Sequence, residues 1–345
     1  MAEGMQIKFY GTRGSLPAPL TAGKVRQKII GAIIHWTEHL AVSKLESHKP
    51  DSFEVEEFFD SSLSLADWGT YGGNTTCCVV RCGQTIIVFD LGSGVRQFGQ
   101  DILGEMFKSQ GVLIHFCMSH VHWDHIQGFP FFAPLFISRK KLPKNRFVFF
   151  GGVAWQGALE EALRGQMDAP VFPVEWDKVT TEGPGMKFLT ICDGFETQIA
   201  HGKEGETLPD AVKLRAQRLH HPNETYGWRI EYNGKVFVFA SDTEPFAGGP
   251  DPVILDLAKD ADALYLDCQF TEKQYLGQEG VPRLGWGHGY DTWCAQVAKQ
   301  AGVKRLYLGH HDPAASDEKI FSIQQQVKAS FAETVAAYDG LEIEI

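Results

Sequence analysis

The chain has 345 residues, with 32 Lys and Arg against 43 Asp and Glu, a net charge of −11, and 43% hydrophobic and 22% charged residues. That is an ordinary globular-enzyme composition, long enough to bury a sizeable core as one large domain or two average ones. The acidic balance argues against a general polyanion-binding surface, which needs a basic stripe, but not against a small phosphorylated substrate held by metal ions.

Seven cysteines form no CxxC pair and are odd in number. Most lie in apolar runs, so they read as reduced, buried thiols of a cytoplasmic protein. The N-terminus has no signal-peptide pattern, and no stretch of about 18 apolar residues could span a membrane.

In chain order, Gln6–Tyr10 alternates like a strand and leads into the turn-rich Gly11-Thr12-Arg13-Gly14-Ser15. Apolar spacing from Val25 to about Leu45 predicts a helix, and Phe53–Phe59 a second short one. The region of about 20–69 thus reads as a helical insertion, a surface excursion or else a lid or dimerisation element. Thr75–Arg81 and Thr85–Phe89 predict a hairpin ending in Asp90-Leu91-Gly92-Ser93-Gly94, and Val95 to about Phe107 a helix. The β-branched run Val112–Met118 predicts a buried strand, followed by the apolar Ile126–Phe132, expected to line one wall of a site. Arg139, Lys140, Lys141, Lys144 and Arg146 read as a solvated turn, with a phosphate-steering rim as the alternative.

Further on, a helix is predicted for Ala154 to about Leu163, and strands around Lys187–Cys192 and Ala211–Leu219. Trp228–Tyr232 and Lys235–Ala240 flank Asn233-Gly234, the signature of a type I′ hairpin. Strands are predicted to end at Asp267 and at Gly309, a helix to run from Thr292 to Ala301, and a final helix from about Ile320 to Tyr338. The pattern predicts an α/β (α+β) fold of two sheets packed face to face with helices outside and a site along one edge.

Three histidines and a carboxylate crowd into Ser119-His120-Val121-His122-Trp123-Asp124-His125, directly after the buried strand. Imidazole nitrogen and carboxylate oxygen suit zinc, manganese or iron. Other strand ends add His221, Asp242 and His310. Seven such ligands are too many for one tetrahedral metal and suit two adjacent ones, with Asp242 the candidate shared carboxylate.

The HxHxDH pattern of His120–His125 resembles that of the metallo-β-lactamase superfamily. Gly11–Ser15, Tyr71-Gly72-Gly73-Asn74-Thr75, Asp90–Gly94, His221-Pro222, Ser241-Asp242-Thr243-Glu244, Trp286-Gly287-His288 and Leu308–Pro313 resemble, in that order, its phosphodiesterase branch, which contains tRNase Z and bacterial cyclic-nucleotide phosphodiesterases. The resemblance covers most of the chain outside Leu20–Trp68. It implies a single domain over 1–345 with a four-layer αββα sandwich and two divalent ions, zinc with manganese or iron as alternatives. By the same resemblance His120, His122 and His221 hold one metal, and Asp124, His125 and His310 the other. Asp242 bridges, and Asp90 holds the histidine loop from behind. His221 is preferred to His220 because it precedes Pro222, and His310 to His311 because it directly follows Gly309.

The expected reaction is hydrolysis of a phosphodiester by a metal-bridging hydroxide, with Asp124 among the catalytic residues. His288 is expected to protonate the leaving group, with Asp267 orienting it. A small diester such as a 3′,5′-cyclic nucleotide is preferred to tRNA, because net charge is acidic and no long Gly- and Lys-rich arm is present. Thioester or lactam hydrolysis is disfavoured by His220-His221-Pro222-Asn223, where those relatives carry Gly-His-Thr. A metal or nucleotide sensor is the non-enzymatic alternative. A homodimer is expected by analogy with the branch.

Overall fold

The computed structural model describes residues 4–42, 49–152, 159–199, 211–246 and 249–345. Fourteen strands are described in chain order. They are β1 Met5–Gly11, β2 Cys77–Cys82, β3 Thr85–Phe89, β4 Leu113–Cys117, β5 Arg146–Gly151, β6 Gly185–Thr190 and β7 Phe195–Ile199. There follow β8 Val212–Arg218, β9 Tyr226–Tyr232, β10 Lys235–Ala240, β11 Ala263–Asp267, β12 Leu306–Gly309, β13 Thr334–Ala336 and β14 Glu342–Glu344. One sheet runs β14-β1-β2-β3-β4-β5-β6 and the other β13-β12-β11-β10-β9-β8-β7. In each, an antiparallel half (β14 to β3; β7 to β10) continues into a parallel half (β3 to β6; β10 to β13).

Burial explains the strand sequences. Thr85-Ile86-Ile87-Val88-Phe89 is buried on both faces and is continuously apolar after its first residue. At β8 only Val212, Leu214 and Ala216 point inward, and the sequence alternates. Between the sheets, Phe89 stacks on Phe239 at 4.8 Å and Phe239 on Tyr265 at 4.9 Å. Each such ring contributes roughly 1.5–3 kcal/mol of burial.

The helices are α1 Ala22–Val42, α2 Ser52–Ser62, α3 Leu65–Trp68, α4 Val95–Asp101, α5 Leu103–Ser109 and α6 Trp123–Ile126. They continue as α7 Leu159–Gly165, α8 Trp176–Glu182, α9 Pro252–Leu257, α10 Glu272–Tyr275, α11 Asp291–Gln300 and α12 Asp317–Ser330. Phe98, Met106, Leu163 and Trp176 from α4, α5, α7 and α8 pack on the first sheet. Leu257, Trp293, Val297, Ile323 and Val327 from α9, α11 and α12 pack on the second. The result is a four-layer αββα sandwich.

Strand direction sets where the chemistry lies. β3 and β4 are parallel, as are β10, β11 and β12, and β8 shares the direction of β10 through the antiparallel β9. Their C-terminal ends deliver the polar loops. In the segment between β1 and β2, Lys28 of α1 donates to Ala66 O at 2.5 Å and pairs with Asp317 at 3.0 Å, at the start of α12, which follows the C-terminal end of β12. The inner face of α1 carries Ala32, and Trp36 meets Phe58 of α2 edge-on at 4.9 Å. Ile29, Ile30, Ile33 and Ile34 are exposed. Among the described residues, no helix is long and apolar enough to cross a membrane.

Three expectations and one alternative reading are corrected. The final helix ends at Ser330, not near Tyr338, because Thr334–Ala336 pairs with β12 as an edge strand too short to show its own periodicity. Phe129 and Phe132 do not line a site wall: both are fully buried in the core between the first sheet and its helices, and only Phe131 of that run is well exposed. The Arg139–Arg146 cluster precedes the N-terminal end of β5, which is parallel to β4. It therefore lies at the opposite edge from the histidine loop, a strand's length or roughly 20 Å away; the cluster is the exposed turn expected of it, and the alternative of a phosphate-steering rim is removed. Of the predicted helix from Ala154, residues 154–158 fall outside the described residues, as do 43–45 of the first helix. The predicted helix from Val95 is two, broken at Ile102.

Candidate metal centre

His120 and His122 follow β4, His122 in extended backbone, and α6 begins at Trp123, so its first turn carries Asp124 and His125 back toward them. His221 follows β8, Asp242 follows β10 and His310 follows β12. Asp90 and His310 directly after a strand, and Asp242 one residue further on, sit in the left-handed region, with φ of 58°, 53° and 53°. Each costs about 1–3 kcal/mol of backbone strain. That strain makes the chain turn sharply while its side chain stays at the sheet edge.

Asp242 is the centre of the constellation. Its Oδ2 faces His120 Nε2 at 3.6 Å and His221 Nε2 at 3.9 Å. Its Oδ1 faces His125 Nε2 at 3.1 Å and His310 Nε2 at 3.2 Å. Asp124 Oδ2 approaches the same two nitrogens at 3.3 and 3.2 Å. Three overlapping groups of donor atoms converge among the described residues: His120, His122, His221 and Asp242; Asp124, His125 and His310; and Asp242, His288 and His310. The structure thus brings all seven predicted ligands to one place, with a carboxylate between two sets of imidazoles.

The donor chemistry fits cations. His125 Nε2 and His310 Nε2 face each other at 3.3 Å, and no placement of one proton satisfies both nitrogens and both carboxylates. The buried His120 Nε2 has no hydrogen-bond partner among the described residues. Converging nitrogen and oxygen lone pairs of this kind are what a divalent transition metal binds. Electrostatics agree. Burial opposes ionisation of Asp242 and Asp124, but the surrounding histidines, His125 first, outweigh it and hold both carboxyls well below the usual range. Burial and the charge of His125 keep His120 neutral.

A second ring of contacts fixes the imidazoles. Asp90 Oδ2 accepts from His125 Nδ1 at 2.8 Å and from Ser119 Oγ at 2.7 Å, while its Oδ1 accepts from Ser119 N at 2.7 Å. The expectation that Asp90 braces the histidine loop is met in these three bonds. Thr225 Oγ1 lies 3.1 Å from His221 Nδ1, Gln269 Nε2 lies 3.4 Å from His310 Nδ1, and Ser15 N donates to Asp124 Oδ2 at 2.8 Å. Asn223, whose amide nitrogen is 2.5 Å from His122 Nε2, and Ser15 with φ 56° were not singled out from sequence. Both lie inside stretches already noted in the sequence, Gly11–Ser15 and His220–Asn223, but Ser15 is 109 residues from Asp124 and only Asn223 sits beside a ligand in the chain. At the two double histidines, His311 donates from Nε2 to Ala337 O at 2.8 Å, and His220 Nδ1 faces the carbonyls of Glu244 and Pro245. Both are turned away from Asp242.

Beside this group, His288 Nδ1 lies 2.8 Å from Asp267 Oδ2 and 4.0 Å from Asp242 Oδ2. Burial disfavours the imidazolium, but the Asp267 carboxylate outweighs it and raises His288 to about 9.

Residues 104–311 match the family model described as the β-lactamase superfamily domain. An uncharacterized protein of Mycobacterium leprae (strain TN) is 27% identical over 241 residues, covering 69% of this chain and 72% of that protein. A ribonuclease Z of Lactiplantibacillus plantarum is 26% identical over 283 residues, covering 75% and 87%. Among solved structures, the metallo-β-lactamase fold protein YhfI of Bacillus subtilis superposes with a TM-score of 0.60 at 16% identity, covering 99% of this chain and all of that one. With the family model spanning more than half of the chain and the four-layer sandwich in place, this protein belongs to the β-lactamase superfamily, in its metallo-β-lactamase fold.

Proposed function

We propose that the chain is a two-metal hydrolase of phosphodiesters, acting on a small diester such as a 3′,5′-cyclic nucleotide. The observation that carries this reading is Asp242, whose two oxygens face two separate sets of imidazoles with the Asp267–His288 pair alongside. His120, His122 and His221 would hold one cation and Asp124, His125 and His310 the other, with Asp242 shared; zinc, manganese and iron all suit these donors. Such a pair, when bound, brings the pKa of coordinated water toward neutrality and neutralises phosphate oxygens.

The protein's own groups do the rest. Asp90, Thr225 and Gln269 hold the imidazole rings so that their lone pairs converge. Asp267 accepts from His288 Nδ1, which fixes the ring and favours its charged form. His288 then has a proton to give to the departing sugar oxygen, a step worth typically 10²–10⁴-fold.

The charge of −11 and the placing of the Arg139–Arg146 cluster at the far edge favour a small substrate over a long polyanion. The relative named ribonuclease Z favours an RNA phosphodiester as the second reading. Turnover of cAMP, cGMP, cCMP, cUMP, bis(p-nitrophenyl) phosphate and a precursor tRNA by metal-loaded protein separates the two. Hydrolysis of a cyclic nucleotide is expected. Cleavage of the tRNA alone would move the assignment to RNA, and an inert panel would remove it.

A further inference from the structure

Trp286 is large, apolar and 51% exposed, yet it is not loose. Trp286 N donates to Arg283 O at 3.0 Å, and Gly285 N donates to Glu244 Oε2 at 2.9 Å, two residues beyond Asp242. On its other side, Gly287 has φ 89° and lies so close to His221 that an added Cβ would stand 2.2 Å from the ring. Gly285 and Gly287 are thus required, one for its turn and the other also for its approach to a metal-ligating histidine. Between them the indole is fixed at the rim of the centre. Phe270 packs edge-on against both Trp286 (6.4 Å) and His288 (6.1 Å), so the indole stands on the side of the proposed proton donor. The Arg283 guanidinium covers the ring at 4.7 Å and also Phe270 at 5.2 Å.

One side of the indole is thus backed by a cation and an edge by a phenyl ring, while half of its surface stays in water. A lone exposed tryptophan needs no explanation, but this one is braced from three directions next to the reacting centre. We propose that the open face of Trp286 is a stacking platform for a planar aromatic group of the substrate, a nucleobase, carried on the leaving-group side of the phosphate. The proposal rests on the phosphodiesterase reading and adds to it the class of group that the substrate bears. A π-face takes any base, so the platform selects base-bearing diesters over aliphatic or sugar-only ones rather than one base over another.

Two measurements test it. The first is the ratio of kcat/KM for a nucleoside 3′,5′-cyclic phosphate to that for its abasic counterpart. Loss of one base stack is worth roughly five- to 150-fold, so Trp286→Ala should lower this ratio by that range through KM, and Trp286→Phe should keep most of it. An unchanged ratio in Trp286→Ala overturns the platform. The second does not need turnover: AMP and ribose 5-phosphate are titrated into the full-length protein and followed by NMR saturation transfer to the ligand. Transfer to the base protons of AMP that is lost in Trp286→Ala supports the platform even if no diester is hydrolysed. Equal signals in both proteins overturn it even if one is.

Discussion

Asp90→Asn separates bracing of the metal centre from mere filling of space. The native carboxylate only accepts: from Ser119 N and Oγ, and from His125 Nδ1. Burial disfavours charge on His125, but the carboxylates of Asp242, Asp124 and Asp90 outweigh it and keep the metal-free ring protonated. When a cation takes Nε2, acceptance by Asp90 holds the remaining proton on Nδ1 and leaves the Nε2 lone pair toward Asp124, Asp242 and His310. Asparagine is the same size and tolerates the left-handed φ of 58°. Its carbonyl can still accept from Ser119 N, but its NH₂ then points at Ser119 Oγ and His125 Nδ1. The hydroxyl can rotate to accept. The imidazole can accept only by giving up its Nδ1 proton and keeping the one on Nε2, where it donates to Asp124 or Asp242 and blocks the metal. All hydrogen bonds stay satisfied, so the metal-free fold should change little, whereas cation affinity at the Asp124–His125–His310 site should fall about 10- to 100-fold, or roughly 1.4–2.7 kcal/mol. Competition against a chelator of known affinity reads this directly, with thermal unfolding of the metal-free proteins as the control. Two equivalents bound as tightly as in the parent would refute the tautomer argument.

Other expectations follow from the same geometry. His288→Ala and Asp267→Asn should retain both cations and lose about 10²–10⁴-fold in turnover on diesters with sugar leaving groups. They should lose far less on bis(p-nitrophenyl) phosphate, whose leaving group needs no proton; equal losses on both would remove the general-acid role. His310→Ala should lower the bound-metal count by atomic absorption. His311→Ala should keep it but destabilise the fold by about 1–3 kcal/mol, since Ala337 O loses a buried donor. Burial raises Asp339 to about 6 despite the N–H groups of Gly73 and Asn74 that its carboxylate accepts. The folded chain therefore holds this proton more tightly than the unfolded one. The resulting stabilisation is complete below about pH 4 and is lost as pH rises through 6, at most about 3 kcal/mol. Urea unfolding between pH 4.5 and 7.5 should fall more steeply for the parent than for Asp339→Asn, and parallel curves would contradict the assignment.

His120 to His125 were legible because the chain itself places them together. His221, Asp242 and His310 lie far apart in sequence and could be gathered only because each follows an apolar run read as a strand. What brings them together was hidden. Left-handed backbone at Asp90, Asp242 and His310 is imposed by tertiary packing and has no glycine to announce it. Asn233-Gly234, by contrast, declared its turn. The far-edge position of Arg139–Arg146 depends on β5 running parallel to β4, which pairing decides and local composition does not. Likewise β13 has three residues, too few for any period to show.

The central claim is a pair of cations sharing Asp242 and serving phosphodiester hydrolysis. Its most direct test is a titration of metal-free protein with zinc or manganese, reading cyclic-nucleotide hydrolysis against equivalents added. Activity should saturate at two equivalents per chain. Saturation at one, or full occupancy without hydrolysis, would contradict the account.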